Sequence, residues 1–239
     1  MRKIRGIGML WMSVLCILFL TSCRDDNKAV KHASVEHEEN VYEKIEAKDI
    51  RRVKISGNAR SIIIKQGADT AFKFQNADLN TANTYDVRSS RNGDTLNISV
   101  MMKNGEEDND ILGSFLIYLP RKEFDVIETA GDFKQIHINP IHSDIFLHAD
   151  KSVVALHLEA AKLDHDIVLD GSEANAFKSV SVYFDTVPAS IKMEVNPIQN
   201  GPIQDPQHIL DNGRLVSGTE KPVIRIHAAK EINLYKENS

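Results

Sequence analysis

After Pro120 the apolar residues of this 239-residue chain come in pairs separated by one position, and the pairs return at nearly fixed intervals. Ile136/Ile138, Ile145/Leu147, Leu156/Leu158, Ile167/Leu169, Val180/Val182 and Ile191/Met193 follow one another at steps of 9, 11, 11, 13 and 11 residues. Side chains alternate faces along an extended strand, so a spacing of two places both members of a pair on one side of a sheet. An amphipathic helix needs apolar residues three and four apart, and no stretch beyond residue 50 carries a long stripe of that kind. The repeat confines the body to short strands joined by turns.

The alternation already holds in the first half, at Val53/Ile55, Ile62/Ile64, Phe72/Phe74, Leu96/Ile98/Val100 and Phe115/Ile117/Leu119. Between these runs stand Ser56-Gly57-Asn58, Gln66-Gly67-Ala68-Asp69, Arg91-Asn92-Gly93-Asp94 and Asn104-Gly105, where Gly and Asn tolerate the backbone of tight turns. Asn76 to Asn83 has room for one or two helical turns, and Glu43 to Lys48 for a short helix without an apolar stripe. In the second half every second pair recurs at 20 to 24 residues, the interval of a coil with two strands per turn. The fold expected from this is all-β, a short right-handed β-solenoid or β-helix-like domain. A β-sandwich, with strands every 8 to 12 residues or so, would give nearly the same pattern and stands as the alternative; the shortness of the segments favours the solenoid. Pro197, Gly201, Pro202, Pro206, Gly213 and Gly218 interrupt the pattern between Asn196 and Pro222, which predicts a long loop with a small hairpin at Ile209 to Val216. Its two readings are a functional surface and a cap over an open end. Val223 to Ile226 and Ile232 to Leu234 resume the strand pattern and are expected to close the fold.

At the amino end Arg2, Lys3 and Arg5 precede an apolar run from Ile7 to Leu20 broken only by Gly8 and Ser13. The run is shorter than the ~20 residues of a transmembrane helix, and with its positive start it has the form of a secretory signal peptide. It ends in Leu20-Thr21-Ser22-Cys23, which resembles the bacterial lipobox. That resemblance implies a lipoprotein signal peptide over residues 1–22 and lipidation of Cys23, and the expected organisation beyond it is a flexible tether over 23–46 and a GIN-like all-β domain, read from the strand pattern and the family likeness below, over 47–239. Each buried lipid methylene contributes about 0.8 kcal/mol, so two or more acyl chains suffice as a membrane anchor. From Arg24 to about Ala47 the chain is rich in Glu, Lys, His and Asn and too poor in apolar residues to bury a face. As a random coil such a segment spans about 25–30 Å. Arg24-Asp25-Asp26 is similar to a tag that carries some Gram-negative lipoproteins to the outer face of the outer membrane, and reads equally well as a solvated linker. The expected location is that of an outer-membrane lipoprotein facing the periplasm or the exterior.

Charge and cysteine content remove several function classes. The formal net charge is −5, and loss of residues 1–22 removes three basic and no acidic groups, giving −8. An acidic chain lacks the electrostatic footprint of a nucleic-acid binder. Cys16 and Cys23 are the only cysteines, so the body holds no disulfide framework, zinc knuckle or cysteine nucleophile.

The stretch from Ile50 to Gly67, IRRVKISGNARSIIIKQG, resembles the opening of the GIN domain, a family of secreted and lipid-anchored bacterial proteins also named for an auto-transporter adhesin head. Asp94-Thr-Leu-Asn-Ile-Ser99, Leu116-Ile-Tyr-Leu-Pro120, Ile127-Glu-Thr-Ala-Gly131 and Lys230-Glu-Ile-Asn-Leu234 match further strands and turns of that family, so the likeness spans roughly residues 47 to 236. The chain departs from the family in carrying less glycine at Ala149-Asp150 and Asp170-Gly171-Ser172 and in the acidic insert Gly105 to Asp110. The resemblance implies an all-β, solenoid-like surface domain with no catalytic residues to transfer.

Few residues suggest chemistry. Neither a Gly-x-Ser-x-Gly elbow, a His-Glu-x-x-His helix nor a phosphate-cradling glycine loop occurs. His137 and His157 share an outward phase 20 residues apart, with Asp164-His165-Asp166 at a turn, which invites a zinc or copper site. A third ligand has no place, and solvent-exposed histidines without a metal are the favoured reading. Glu106-Glu107-Asp108-Asn109-Asp110 and Asp164/Asp166/Asp170 lack the spacing of a calcium loop and read as solvated turn charge. Phe146, Tyr183 and Phe184 are candidates for an outward aromatic platform. Asp69-Thr70-Ala71, Asp94-Thr95-Leu96 and Asp185-Thr186-Val187 are similar to an O-glycosylation acceptor of some exported proteins. The expectation is a non-enzymatic, lipid-anchored envelope protein that presents its domain for adhesion, glycan contact or a structural role. It has no cofactor, catalytic residue or metal site, and its partners are the membrane, through the lipid, and a glycan or surface protein. The alternatives are a β-helical carbohydrate-active enzyme, which would need carboxylates clustered along outward positions such as Phe146, His157, Val168, Ser181 and Lys192, and a periplasm-facing metal or stress sensor.

Overall fold

The structure is a computed structural model that describes residues 45–77, 84–103, 113–148, 151–212 and 214–237. Cys23, the signal and tether segments, the acidic cluster Glu106 to Asp110, Ala149-Asp150 and most of the helical turn expected after Asn76 lie outside the described residues. Within them the chain is all-β, with two mixed nine-stranded sheets and no α-helix. Ile45–Glu46, where a short helix was possible, is instead a two-residue strand.

The first sheet contains β1 (Ile45–Glu46), β3 (Ser61–Gln66), β4 (Ala71–Asn76), β7 (Phe115–Leu119), β9 (Gln135–Ile138), β11 (Val153–Leu158), β13 (Ser179–Phe184), β15 (Ile203–Gln204) and β18 (Ile232–Lys236). The second contains β2 (Arg52–Gly57), β5 (Tyr85–Asn92), β6 (Thr95–Met102), β8 (Phe124–Gly131), β10 (Ser143–His148), β12 (Ile167–Asp170), β14 (Ile191–Pro197), β16 (Arg214–Ser217) and β17 (Val223–Ala229). From β6 to β14 consecutive strands alternate between the sheets, and the central strands of each pair in parallel.

Parallel register lines up the inward residues in ladders. In the first sheet Ile62, Ile136, Val154, Val180 and Ile232 form one ladder, and Ile64, Ile138, Leu156, Val182 and Leu234 the next. In the second, Leu96, Val53, Ile127, Ile145, Ile167, Ile224 and Met193 stand in one row. All of these are buried, in one cluster drawn from both sheets. Removing an Ile, Leu or Val side chain of this kind from water contributes about 1.5–3 kcal/mol, so the ladders are the main stabilising feature. Side chains at the strand starts hold the register. Ser143 Oγ accepts from Phe124 N at 2.8 Å, Asp144 Oδ1 from Asp166 N at 2.9 Å, and Asp166 Oδ1 from Val223 N at 2.8 Å, linking β8, β10, β12 and β17 in turn.

Stacking differs from the sequence expectation in two ways. The pairs at 20-residue spacing, Ile136/Ile138 and Leu156/Leu158, are displaced by two: Ile136 faces Val154 and Ile138 faces Leu156. A shift of two preserves which side chains point inward, so periodicity alone could not detect it. The order along each sheet also departs from the order along the chain. β2 lies between β6 and β8, and β3 between β7 and β9, so these early strands are interleaved between later ones. Likewise β17 sits between β12 and β14, so Val223 to Ile226 fills an interior place rather than closing the fold.

The irregular stretch after Asn196 supplies edge strands. β15 runs along β18 and β16 lies antiparallel on β14, while Asp211 and Arg214 exchange backbone hydrogen bonds across a tight turn. This segment thus supplies an edge strand to each sheet. At the opposite end β4 and β1 extend the first sheet beyond β7, and β5 pairs antiparallel with β6.

Candidate functional site

The outward face of the first sheet carries a stack of three rings. His157 and Tyr183 are opposite in register with ring centroids 4.7 Å apart and planes 8° from parallel, and Tyr183 stacks on Tyr235 at 5.2 Å. Rings stacked face to face along a ladder offer their edges to solvent, so they tie rungs together rather than form a flat platform. His157 Nδ1 also lies 3.2 Å from Glu237 Oε1. His137 points from the same sheet but stands opposite Ala155, two positions out of step with His157. Partial burial, reinforced by nearby His157, pushes its pKa below the ordinary value. No group of three metal-ligating side chains converges here or elsewhere among the described residues.

The aromatic trio of the sequence is dispersed. Phe146 faces outward from β10 of the second sheet, 4.8 Å from the His148 ring, while Tyr183 belongs to the first sheet. Phe184 is fully buried, which corrects its outward assignment: it continues the inward phase of Val180 and Val182 and faces Leu158. Of the other outward positions, Val168 and Lys192 are on the second sheet and Ser181 on the first. The acidic trio does not converge either. Asp164 Oδ1 lies 3.1 Å from His165 Nδ1 and 3.7 Å from His142 Nδ1, while Asp166 caps Val223 and Asp170 ends β12. The His165 hydrogen bond, outweighing partial burial and aided by both imidazoles' charge, lowers the Asp164 pKa. In the acceptor-like tripeptides Thr70 and Thr186 are exposed and Thr95 is half-buried within β6.

The second sheet's outward face is charge-paired. Lys54 Nζ and His148 Nε2 lie 3.0 and 3.3 Å from Glu128, and Glu194 gathers Arg214 at 3.2 Å, Lys192 at 3.6 Å and Arg225 at 3.8 Å. Burial alone would raise the Glu128 pKa, but the Lys54 hydrogen bond and charge, with His148, hold it below the ordinary value.

The feature most like a binding site is at a corner, where chain leaves the ends of neighbouring first-sheet strands. A cleft of about 530 Å³ is lined there by Gln66 at the end of β3 with Gly67 and Ala68 after it, Arg121, Lys122 and Glu123 after β7, Pro140 and His142 after β9, and Lys162 after β11. These four strands are adjacent in the order β7, β3, β9, β11, so the cleft crosses the ends of four neighbouring strands. Lys122 turns inward, donating from Nζ to the Ile50 carbonyl at 2.5 Å beside the Phe124 ring. Lys162 forms an ion pair with Glu159 at the rim. Gln66 Nε2 donates to the carbonyls of Pro120 and Lys122, and its Oε1 is buried without a partner. The sequence reading missed this site because its residues come from four separate segments spread over 96 positions and form no motif.

These features define an all-β protein of two mixed sheets whose central strands pair in parallel, with a cleft at one corner. No family model matches the chain, and no curated protein matches it. Among solved structures it is similar to a protein of Clostridium sporogenes ATCC 15579 described as a "putative cell adhesion protein", with 14% identity, a TM-score of 0.55, and coverage of 84% of this chain and 99% of that one. It is also similar to a "putative adhesin" of Bacteroides fragilis NCTC 9343, with 12% identity, a TM-score of 0.33, and coverage of 82% and 96%. The Clostridium likeness shows a shared fold.

Proposed function

We propose that this chain is a lipid-anchored cell-envelope protein of the GIN type, anchored through Cys23, whose body is a β-solenoid that acts in adhesion rather than catalysis. The observation that carries the reading is the fold shared with the Clostridium protein over 84% of this chain. Parallel ladders running through alternating strands support the solenoid, because each rung rests on its neighbours much as repeats do. The lipobox-like Leu20-Thr21-Ser22-Cys23 supports envelope anchoring. A body of interlocked ladders suits display, since its outward faces hold their side chains in fixed register.

Adhesion is tested by coupling the full-length protein to beads and measuring their retention on glycan-coated and protein-coated surfaces under flow, against beads carrying heat-denatured protein. Retention of the folded protein alone is expected, with no reducing ends or unsaturated products released from a polysaccharide panel. Product release that a single Asp or His substitution stops would replace this reading with that of a carbohydrate-active enzyme.

A further inference from the structure

Among the described residues each sheet ends in two edge strands, and all but one are short: β1 and β15 have 2 residues and β16 has 4. The exception is β5, whose 8 residues from Tyr85 to Asn92 pair only with β6 among the described residues. It holds no proline, lysine or bulge of the kind that blunts an edge. Both of its ends are pinned. The buried Tyr85 donates from its hydroxyl to the Gly113 carbonyl at 2.9 Å, and Arg91 donates to the carbonyls of Gly93, Lys48 and Asp49 at 2.7, 3.3 and 3.4 Å. A strand already held extended loses little freedom when another strand joins it.

The phase of the backbone determines which groups face the open edge. The carbonyls of Asp94, just before β6, and of Val100 within it accept from Arg51 N and Asn58 N on the β2 side. Backbone groups alternate sides along a strand, so those of Val100 point away from β5. Val87 is the partner of Val100 in register, and its own N–H and C=O therefore point away from β6 to the edge. The Val87 side chain packs on the core, which leaves Asp86 and Arg88 together on the outward face, paired with each other at 2.7 Å. A second copy laid antiparallel, with Val87 opposite Val87, exchanges backbone hydrogen bonds at that pair. It also sets Asp86 against Arg88 of the second copy, and Arg88 against its Asp86. These flanking positions are non-hydrogen-bonded pairs with Cα atoms about 4.5 Å apart, where side chains approach most closely. Moving the axis to Arg88 would oppose arginine to arginine and turn the backbone groups apart, and moving it to Ser89 would leave neither charge opposite its complement.

We infer that β5 is the contact of a twofold dimer, in which the second sheets of two copies join edge to edge through Val87. A contact of this symmetry closes on itself, so association through it stops at two copies. The test is sedimentation equilibrium of the full-length protein in density-matched detergent over roughly 1–200 μM, the range in which a contact as small as one strand edge associates. A monomer–dimer equilibrium is expected for the wild type. Asp86→Arg and Arg88→Asp should each weaken it about tenfold or more, because like charges then meet at both flanking positions. An equimolar mixture of these two variants should form heterodimers with wild-type affinity, since one chain then brings two arginines and the other two aspartates. Val87→Pro removes an N–H that β6 does not use, so it should abolish the dimer and leave the monomer folded; the mixing result decides should that variant fail to fold. Wild type that stays monomeric over the whole range, a dimer indifferent to both charge reversals, or variants that fail to combine on mixing would overturn the β5 contact. A monomer whose Val87 amide resists hydrogen exchange would give the edge to another segment of the same chain and overturn the dimer too.

Discussion

Gly57 ends β2 at φ +140°, opposite Val100 on one side and Gly131 on the other. A Cβ built there would lie 1.9 Å from the Val100 carbonyl oxygen, so only glycine lets the three backbones meet at this corner. Gly57→Ala is expected to destabilise the protein by about 3 kcal/mol, read from its urea midpoint, because both the steric contact and the backbone conformation oppose it. The turn role of Gly57 was legible in the sequence, since Ser56-Gly57-Asn58 punctuates two apolar runs; the close approach to Val100 was not, because Val100 is a distant partner. His137 carries a pH effect of definite sign. Its pKa is lowered by burial in the fold, so the unfolded chain takes up the proton first as pH falls below 6.5. The stability it contributes is therefore complete above that pH and declines below it. Denaturation midpoints of wild type and His137→Gln across a pH series should diverge in slope below 6.5. Glu128, Asp164 and Asp185 have lowered pKa values too, but as acids they contribute above their ordinary range near 4 and lose their contribution only as pH falls below it.

For the strands, the inward phase is the main determinant. Ile167 is fully buried between Ile145 and Ile224, while Val168 faces outward between Phe146 and Arg225. Ile167→Asp would bury an unpaired charge and should cost several kcal/mol, whereas Val168→Asp should change stability by less than about 1 kcal/mol. Comparison of their denaturant midpoints checks the difference, and equal losses would contradict the register. The edges behave differently. β15 and β16 cover the outer sides of β18 and β14, whose backbone groups would otherwise be available to another chain. Replacing residues 203–217 with a flexible linker should produce concentration-dependent association, seen by sedimentation velocity, with the other ladders retained.

At the scale of the whole molecule, the proposed anchoring can be tested apart from the body. No helix among the described residues is long and apolar enough to cross a membrane. If lipid on Cys23 holds the protein at the envelope, Cys23→Ala should move it to the soluble fraction without shifting the denaturation midpoint of the body. Fractionation and the mass of the amino-terminal peptide test this, and an unmodified Cys23 in membrane-bound wild type would contradict it.

Local alternation was enough to determine the all-β class and nearly every inward residue, because burial of one strand face depends on neighbours two positions away. It identified Ile62/Ile64, Ile145/Leu147, Ile167/Leu169 and Val180/Val182 as inward, and all are buried. Phe184 was misassigned although the same rule places it inward. Only the tertiary structure decided the stacking order, the two-residue shift of β11 and the insertion of β2 and β17 among other rungs. Ile, Val and Leu pairs are nearly interchangeable as partners, so the apolar pattern distinguishes faces but not neighbours. The corner cleft has the same origin: Arg121 and Gln66 acquire a shared environment when β7 stacks on β3, a pairing their local sequences do not encode.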